Sequence, residues 1–253
     1  MRLTRRLRSL GAATAVLTAV ACAQPVPNGR AAKSTLVLGI DVSGSFRNHY
    51  NDAIDFAAHY LYGHLNGMGN LRVPTAVFVG SVGGGKPGEA KSFQPLHLFQ
   101  DKSVEEISQT LRELYPVEDS YTDFNSFFDR IATLVKRQGL ILAPINIVVL
   151  SDGVPDVAAG ANASTRYESI DLSPLEYLSR NVTIRLLYAS PTVSVDWERR
   201  IDRRRVRIWT VDAPVMQGWR EELASQPADP AAHESLWEWV EDNVDFRVRS
   251  RRL

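Results

Sequence analysis

Two short runs, residues 35–40 (TLVLGI) and Ile145–Leu150 (INIVVL), are apolar along almost their whole length, and they constrain this 253-residue chain more than any other feature. A strand with one wet face alternates apolar and polar residues. One that is apolar throughout must be covered on both sides, which calls for helices above and below a mainly parallel sheet.

The intervening segments supply those helices. Ile54, Ala57, Ala58, Leu61 and Leu65 recur at helical spacing until Gly67 and Gly69 interrupt. Residues 72–80 predict a second strand and residues 93–99 a third, reached through a flexible glycine-rich loop at 81–88. Ser103 and Glu106 predict a capping box ahead of Ile107, Leu111 and Leu114, and Phe124, Phe127, Phe128, Ile131, Leu134 and Val135 mark another helix. Ser173, Pro174 and Glu176 read as N-cap, first and third positions of a helix running to about Arg180. Strands at 182–188 and 206–211 follow, with a helix at 197–203 between them. Asp229-Pro230 predicts the cap of a last helix carrying Leu236, Trp239, Val240 and Val244. Alternation of this kind predicts a doubly wound α/β fold with helices on both faces of the sheet. A hydrophobic share of 44% is enough to build its core, and 23% charged residues argue against a multi-span membrane protein. Lys and Arg together number 29, as do Asp and Glu, so no global positive charge draws the chain to nucleic acid.

The first residues read as a targeting segment. Arg2, Arg5, Arg6 and Arg8 precede the uncharged run 11–21 (GAATAVLTAVA), too short to span a bilayer and suited to the apolar core of a signal peptide. Cys22 is the only cysteine; the five residues before it (LTAVA) resemble a bacterial lipobox, in which that cysteine is lipidated and becomes the mature N-terminus. The alternative is a free thiol within an ordinary secretory signal. The pair Arg5-Arg6 resembles a twin-arginine signal only weakly, because Arg8 stands where an apolar residue is preferred. Without residues 1–21 the chain has 25 basic against 29 acidic residues, a net charge of −4. Residues 22–33 then read as a tether to an exported domain anchored at the cell envelope.

In an open parallel sheet, ligands bind beyond the carboxyl ends of the strands, where the strand order reverses. The first strand ends in Asp41-Val42-Ser43-Gly44-Ser45, and the strand at 145–150 ends in Ser151-Asp152-Gly153. Tyr121-Thr122-Asp123 lies at a loop-to-helix junction between them. Two carboxylates at neighbouring strand ends, roughly 5 Å apart at an effective dielectric near 20, would repel by about 3 kcal/mol, and a bound dication removes that cost. Oxygen donors without His or Cys favour Mg²⁺, Mn²⁺ or Ca²⁺ over Zn²⁺, and so few carboxylates favour Mg²⁺. Glu118, Asp119 and Asp123 either add negative field there or are a solvated loop and a helix cap.

The DVSGS segment resembles the Asp-x-Ser-x-Ser signature of von Willebrand factor type A domains, of the integrin I-domain class, with their metal-ion-dependent adhesion site. Thr122 and Asp152 are similar to that family's other two metal-binding segments, in the same order. The resemblance covers roughly residues 34–225, leaving 226–253 as a C-terminal helix and basic tail. It implies a six-stranded sheet in the order 3-2-1-4-5-6 with strand three antiparallel. It also implies a metal site in which Ser43, Ser45 and Thr122 offer hydroxyls while Asp41 and Asp152 bind directly or through water. An Asp or Glu from a protein partner completes that sphere, so the resemblance implies a binding module and not an enzyme. A metal-assisted hydrolase and a metal-independent assembly scaffold are the alternatives.

Other signals are weaker. Residues 80–86 fit GxxxxGK, but Pro87 replaces the Ser/Thr that a nucleotide-binding loop needs for Mg²⁺. The serines lack a GxSxG elbow, and His49, His59, His64, His97 and His233 show no ligand spacing, which suits surface or packing roles. Asn162-Ala163-Ser164 is a glycosylation sequon with little meaning in a bacterial envelope protein. Arg199, Arg200, Arg203, Arg204, Arg205 and Arg207 form a basic run that suits a solvated helix end, anionic lipid or an acidic partner.

Overall fold

The computed structural model describes residues 34–86, 92–117, 121–156, 165–178, 181–223 and 229–246. The proposed signal peptide, Cys22 and the tether lie outside the described residues, as do Pro87, Glu118, Asp119, the sequon and the basic C-terminal tail. Six strands form one sheet in the order β3-β2-β1-β4-β5-β6. They are β1 (Thr35–Asp41), β2 (Ala76–Val82), β3 (Gln94–Pro95), β4 (Ile145–Leu150), β5 (Val182–Ala189) and β6 (Arg207–Asp212). Every neighbouring pair of these strands is parallel except β2 with β3, so the antiparallel strand of the sheet lies at the edge, as the resemblance implied.

The helices are α1 (Arg47–Asn66), α2 (Val104–Leu114), α3 (Phe124–Arg137), α4 (Ser173–Glu176), α5 (Pro191–Arg199), α6 (Ala213–Gln217) and α7 (Glu234–Val240). Strand periodicity divides the core in two. Leu36, Leu38 and Ile40 of β1 join Val148 and Leu150 under α1, α2, α6 and α7, whereas Val37, Ile147 and Ile184 pack beneath α3, α4 and α5. The central strands are therefore buried on both faces, which accounts for their nearly continuous apolar runs. Among the described residues no helix is long and apolar enough to cross a membrane.

Several boundaries differ from those predicted, each for a local reason. β2 begins at Ala76 and not at 72, because Pro74 has no N–H to give a sheet and the N–H groups of Thr75 and Ala76 both donate to the Ser34 carbonyl (2.8 and 3.2 Å). The third strand shrinks to Gln94–Pro95, after which Leu96–Leu98 tighten into a 3₁₀ turn; a proline is tolerated there because the strand is an edge. The helix expected at 197–203 is α5, placed earlier because Ser190 caps it (Val193 N–H to Ser190 Oγ, 3.3 Å) and Pro191 occupies its first turn. Ser173 is not an N-cap: its own N–H donates to Asp171 Oδ1 (2.8 Å), and α4 ends at Glu176. The Glu176 carboxylate instead accepts from the N–H groups of Arg204 and Arg205 (2.7 Å each) and Val206 (3.3 Å). Asp229 caps only the 3₁₀ turn Pro230–Ala232; α7 follows and widens into a π-helical turn at Glu241–Asp245. The Ser103–Glu106 capping box forms as predicted.

Candidate metal centre

The site begins with a strand end. Asp41 is the last residue of β1, beside Val82 of β2, and Ile40 pairs with Leu150 of β4. Where β1 gives way to α1 the chain turns, and the Ser43 N–H folds back onto Asp41 Oδ1 (2.9 Å). The same turn brings the Ser43 and Ser45 hydroxyls within 3.1 Å of each other. From the end of β4, the Ser151 hydroxyl donates to Asp41 Oδ2 (2.5 Å) and in turn accepts from the Gly153 N–H (2.9 Å).

The Asp41 side chain is fully buried and accepts from a hydroxyl and a backbone N–H. Burial pushes its carboxyl up to about 6; hydrogen bonds from Ser151 and Ser43 offset part of that rise, and the negative charge of Asp152 adds to it. Asp152 is half-buried, with Oδ1 accepting from the Val154 N–H (3.0 Å).

Thr122 arrives from a third segment and is held by backbone bonds on both sides. Its N–H donates to Asp156 Oδ2 (2.8 Å), and its carbonyl accepts from the Asp156 N–H (3.1 Å), which fastens it to the loop after β4. One residue earlier, Tyr121 N–H donates to the Gly84 carbonyl (2.9 Å), which fastens it to the loop after β2. Gly83 makes this approach possible. It has φ of +89°, and a Cβ there would sit 1.7 Å from the Tyr121 carbonyl oxygen. The glycine-rich loop joins the antiparallel pair β2 and β3, as the hairpin reading expected, and its first part is a fitted turn, with the Ser81 hydroxyl also donating to the Gly83 carbonyl (3.0 Å). Asp123 caps α3 through the Ser126 N–H (2.9 Å) and hydroxyl (2.7 Å).

The three segments singled out in the sequence therefore sit at the carboxyl end of the sheet. Ser151 joins the first to the third, and Asp156 joins the second to the third. Sequence reasoning missed both as supports, although Ser151 stood in the SDG segment; nothing in the sequence marks Asp156. It also missed Trp197, whose indole donates to the Gly153 carbonyl (2.8 Å) while its ring meets Phe124 edge-on at 5.0 Å. Four of the histidines take packing positions. His64 and His233 are buried, the His59 ring tilts on Trp219 at 5.2 Å, and His49 lies by Tyr188 at 5.7 Å. Of the basic run, Arg200 pairs with Asp196 (2.9 Å) and Glu168 (3.6 Å), and Arg203 donates to the Trp197 and Ile201 carbonyls.

The donor set is oxygen only, with two carboxylates supplemented by hydroxyls. Among the described residues no three His, Cys, Asp or Glu side chains gather as a metal cage. Any ion here would depend on Ser and Thr, and would keep water or accept an outside ligand, as a hard cation does. A cation at this strand end would offset the burial of the Asp41 carboxyl, and the oxygen donors beside it are of the kind a hard cation takes.

No protein-family model and no curated relative matches the chain. Among solved structures it is similar to the pilus adhesin SpaC of Lactobacillus rhamnosus GG in its open conformation, with TM-score 0.46 and 10% identity over 85% of this chain. It spans 31% of that adhesin. It is also similar to the SpRpn10 VWA domain (TM-score 0.42, 15% identity, 84% of this chain and 95% of that one). Manganese-loaded TRAP protein of Plasmodium vivax gives TM-score 0.42 and 12% identity over 72% of this chain and 70% of that one. Similarities at this level do not bear on activity.

Proposed function

We propose that this chain is a protein-binding module of the von Willebrand factor type A kind, which grips an acidic side chain of a partner through a bound divalent cation, Mg²⁺ foremost. The observation that carries this reading is the Asp41 carboxylate, fully buried at the end of β1 and surrounded by donors from Ser43 and Ser151. A buried carboxylate is costly unless it is paired, protonated or metal-bound. In this reading Asp41, Ser43, Ser45, Thr122 and Asp152 hold the ion. When bound, the ion supplies a positive charge open to an incoming carboxylate. The chain's own part is to present oxygen atoms in a fixed arrangement: Ser151 orients Asp41, and Asp156 and Gly84 hold the Thr122 segment. Lipidation at Cys22 would hold the domain at a bacterial cell envelope.

Calorimetry with Mg²⁺, Mn²⁺ and Ca²⁺ on the wild type and on Asp41→Ala tests the metal. Capture of partners from native membranes with and without EDTA tests its role. Uptake by the wild type alone, with EDTA-sensitive capture, supports the reading. Capture that survives both EDTA and Asp41→Ala replaces it with a metal-independent scaffold.

A further inference from the structure

The end of the sheet opposite this site, where the parallel strands begin, has its own character. Hydrogen bonds sew its loops together in strand order. Thr75 N–H donates to the Ser34 carbonyl (2.8 Å), Thr35 N–H to Pro144 (2.9 Å) and Ile145 N–H to Asn181 (2.9 Å), and the Arg207 guanidinium reaches Asn181 Oδ1 (3.0 Å). Seven large apolar side chains are exposed among the described residues, and four of them lie here: Val73, Ile141, Leu142 and Tyr177. Leu142 is 93% exposed, at the tip of the turn between α3 and β4.

Cations accompany them. Lys136 and Arg137 are exposed in the last turn of α3, a few residues before Leu142. Arg204 and Arg205 are exposed in the loop that enters β6, and Glu176 beside Tyr177 holds that loop's backbone. The carboxylate of Glu176 is therefore spent on N–H groups. Asp202 is exposed within the same loop, while the acidic first turn of α2 (Glu105, Glu106) lies on the other face of the sheet. A scatter of apolar tips among cations suits neither a protein core nor a plain solvated face. It suits the boundary between water and an anionic bilayer, where acyl chains receive the tips and headgroups attract the cations.

We infer that this strand-entry end is a docking surface for anionic lipid headgroups, with Leu142 as its inserting tip. β1 begins here, and the Asp41 site lies at the opposite end of the same strand, so a bilayer on this surface would leave that site on the far side of the sheet. The surface itself requires neither the acyl chain nor the metal.

The compact unit Ala32–Leu253 contains both cores and lacks Cys22, so it isolates the surface from any anchor. Its test is co-sedimentation with vesicles of phosphatidylcholine alone or mixed with phosphatidylglycerol. The unit is expected to sediment with the mixed vesicles only, and less at high salt. Reversing Lys136 and Arg137 to Glu, or Arg204 and Arg205 to Glu, should weaken partition by at least about fivefold per cation, and Leu142→Ser by a similar factor. Each variant is checked by its thermal midpoint, since exposed positions should leave it unchanged. Asp41→Ala should sediment like the wild type, so failure of the metal reading and failure of this one are separable. Absence of vesicle binding, or equal binding by the reversed variants, overturns the inference. So does binding to soluble polyglutamate in place of vesicles, which would mark an acidic protein as the occupant.

Discussion

The Ser151 hydroxyl donates to Asp41 Oδ2 over 2.5 Å, joining the ends of two neighbouring strands that lie 110 residues apart in the chain. This bond orients a carboxylate that has no exposure to water.

In metal-free protein, the Asp41 carboxyl is pushed up to about 6 from an ordinary value of 3.8. A folded state that holds a proton more tightly than the unfolded chain gains stability below about pH 4 and loses it as pH rises through 6. The loss attributable to Asp41 should approach about 3 kcal/mol at neutral pH. Urea unfolding in EDTA across pH 4 to 8, for wild type and Asp41→Asn, isolates it: the difference between the two curves should grow in favour of Asn. Parallel curves would show that Asp41 does not titrate in that range.

Magnesium should reverse that penalty. At about a hundred times its dissociation constant, a ligand that binds only the native state adds about 2.7 kcal/mol. The thermal midpoint of the wild type at pH 7 should therefore rise with Mg²⁺ and fall with EDTA. Ser43→Ala and Thr122→Ala should each weaken metal uptake in calorimetry by about tenfold or more, the equivalent of one lost charge-assisted bond. Unchanged uptake in both variants would remove the hydroxyls from the site.

Gly83→Ala should be far more damaging than Gly139→Ala. Both glycines have positive φ, at +89° and +65°, so both substitutions carry backbone strain of about 1 kcal/mol. Only at Gly83 does the added methyl strike backbone, the Tyr121 carbonyl; at Gly139 nothing lies within 4 Å. The Gly83 variant should lose metal affinity along with stability, because Tyr121 positions Thr122. Comparable melting and metal binding in the two variants would mean that the Gly83 contact is unimportant.

Asp245→Ala should destabilise by about 1 to 3 kcal/mol. Arg185 is buried on the sheet, with Nε 3.8 Å from Asp245 Oδ1 and Nη2 donating to the Phe246 carbonyl (2.9 Å). Removing the carboxylate leaves the buried Arg185 charge without its acidic neighbour. The paired variant Arg185→Met with Asp245→Ala should recover much of the loss, measured by denaturant unfolding. No recovery would place the cost in other contacts of Asp245, such as the Tyr60 hydroxyl (3.2 Å).

How much of this was legible in the sequence varies with the range of the cause. Ile145–Leu150 appeared as a strand with the bounds it has in the fold, because a strand covered on both faces is apolar residue by residue. The Ser103–Glu106 box was equally legible, since both its bonds close within four residues. α5 starts six residues before Trp197 because Ser190 and Pro191 supply its cap and first turn, a signal as local as the Ser103–Glu106 box. Glu176 illustrates the opposite case. Its spacing from Ser173 matched a helix cap, yet its carboxylate is used by backbone 28 to 30 residues away.

The sequence alone determined the order of the elements, the two-sided burial of the central strands and the Asp41, Thr122 and Asp152 segments, because each depends on the residues within one strand, turn or helix end. Tertiary structure decided how those segments meet. Ser151 reaches Asp41 because β4 lies beside β1, Asp156 clasps Thr122, and Gly83 admits the Tyr121 backbone. Those pairings follow from strand order and loop packing, which fix distances between residues far apart in the chain, and no local pattern encodes such distances.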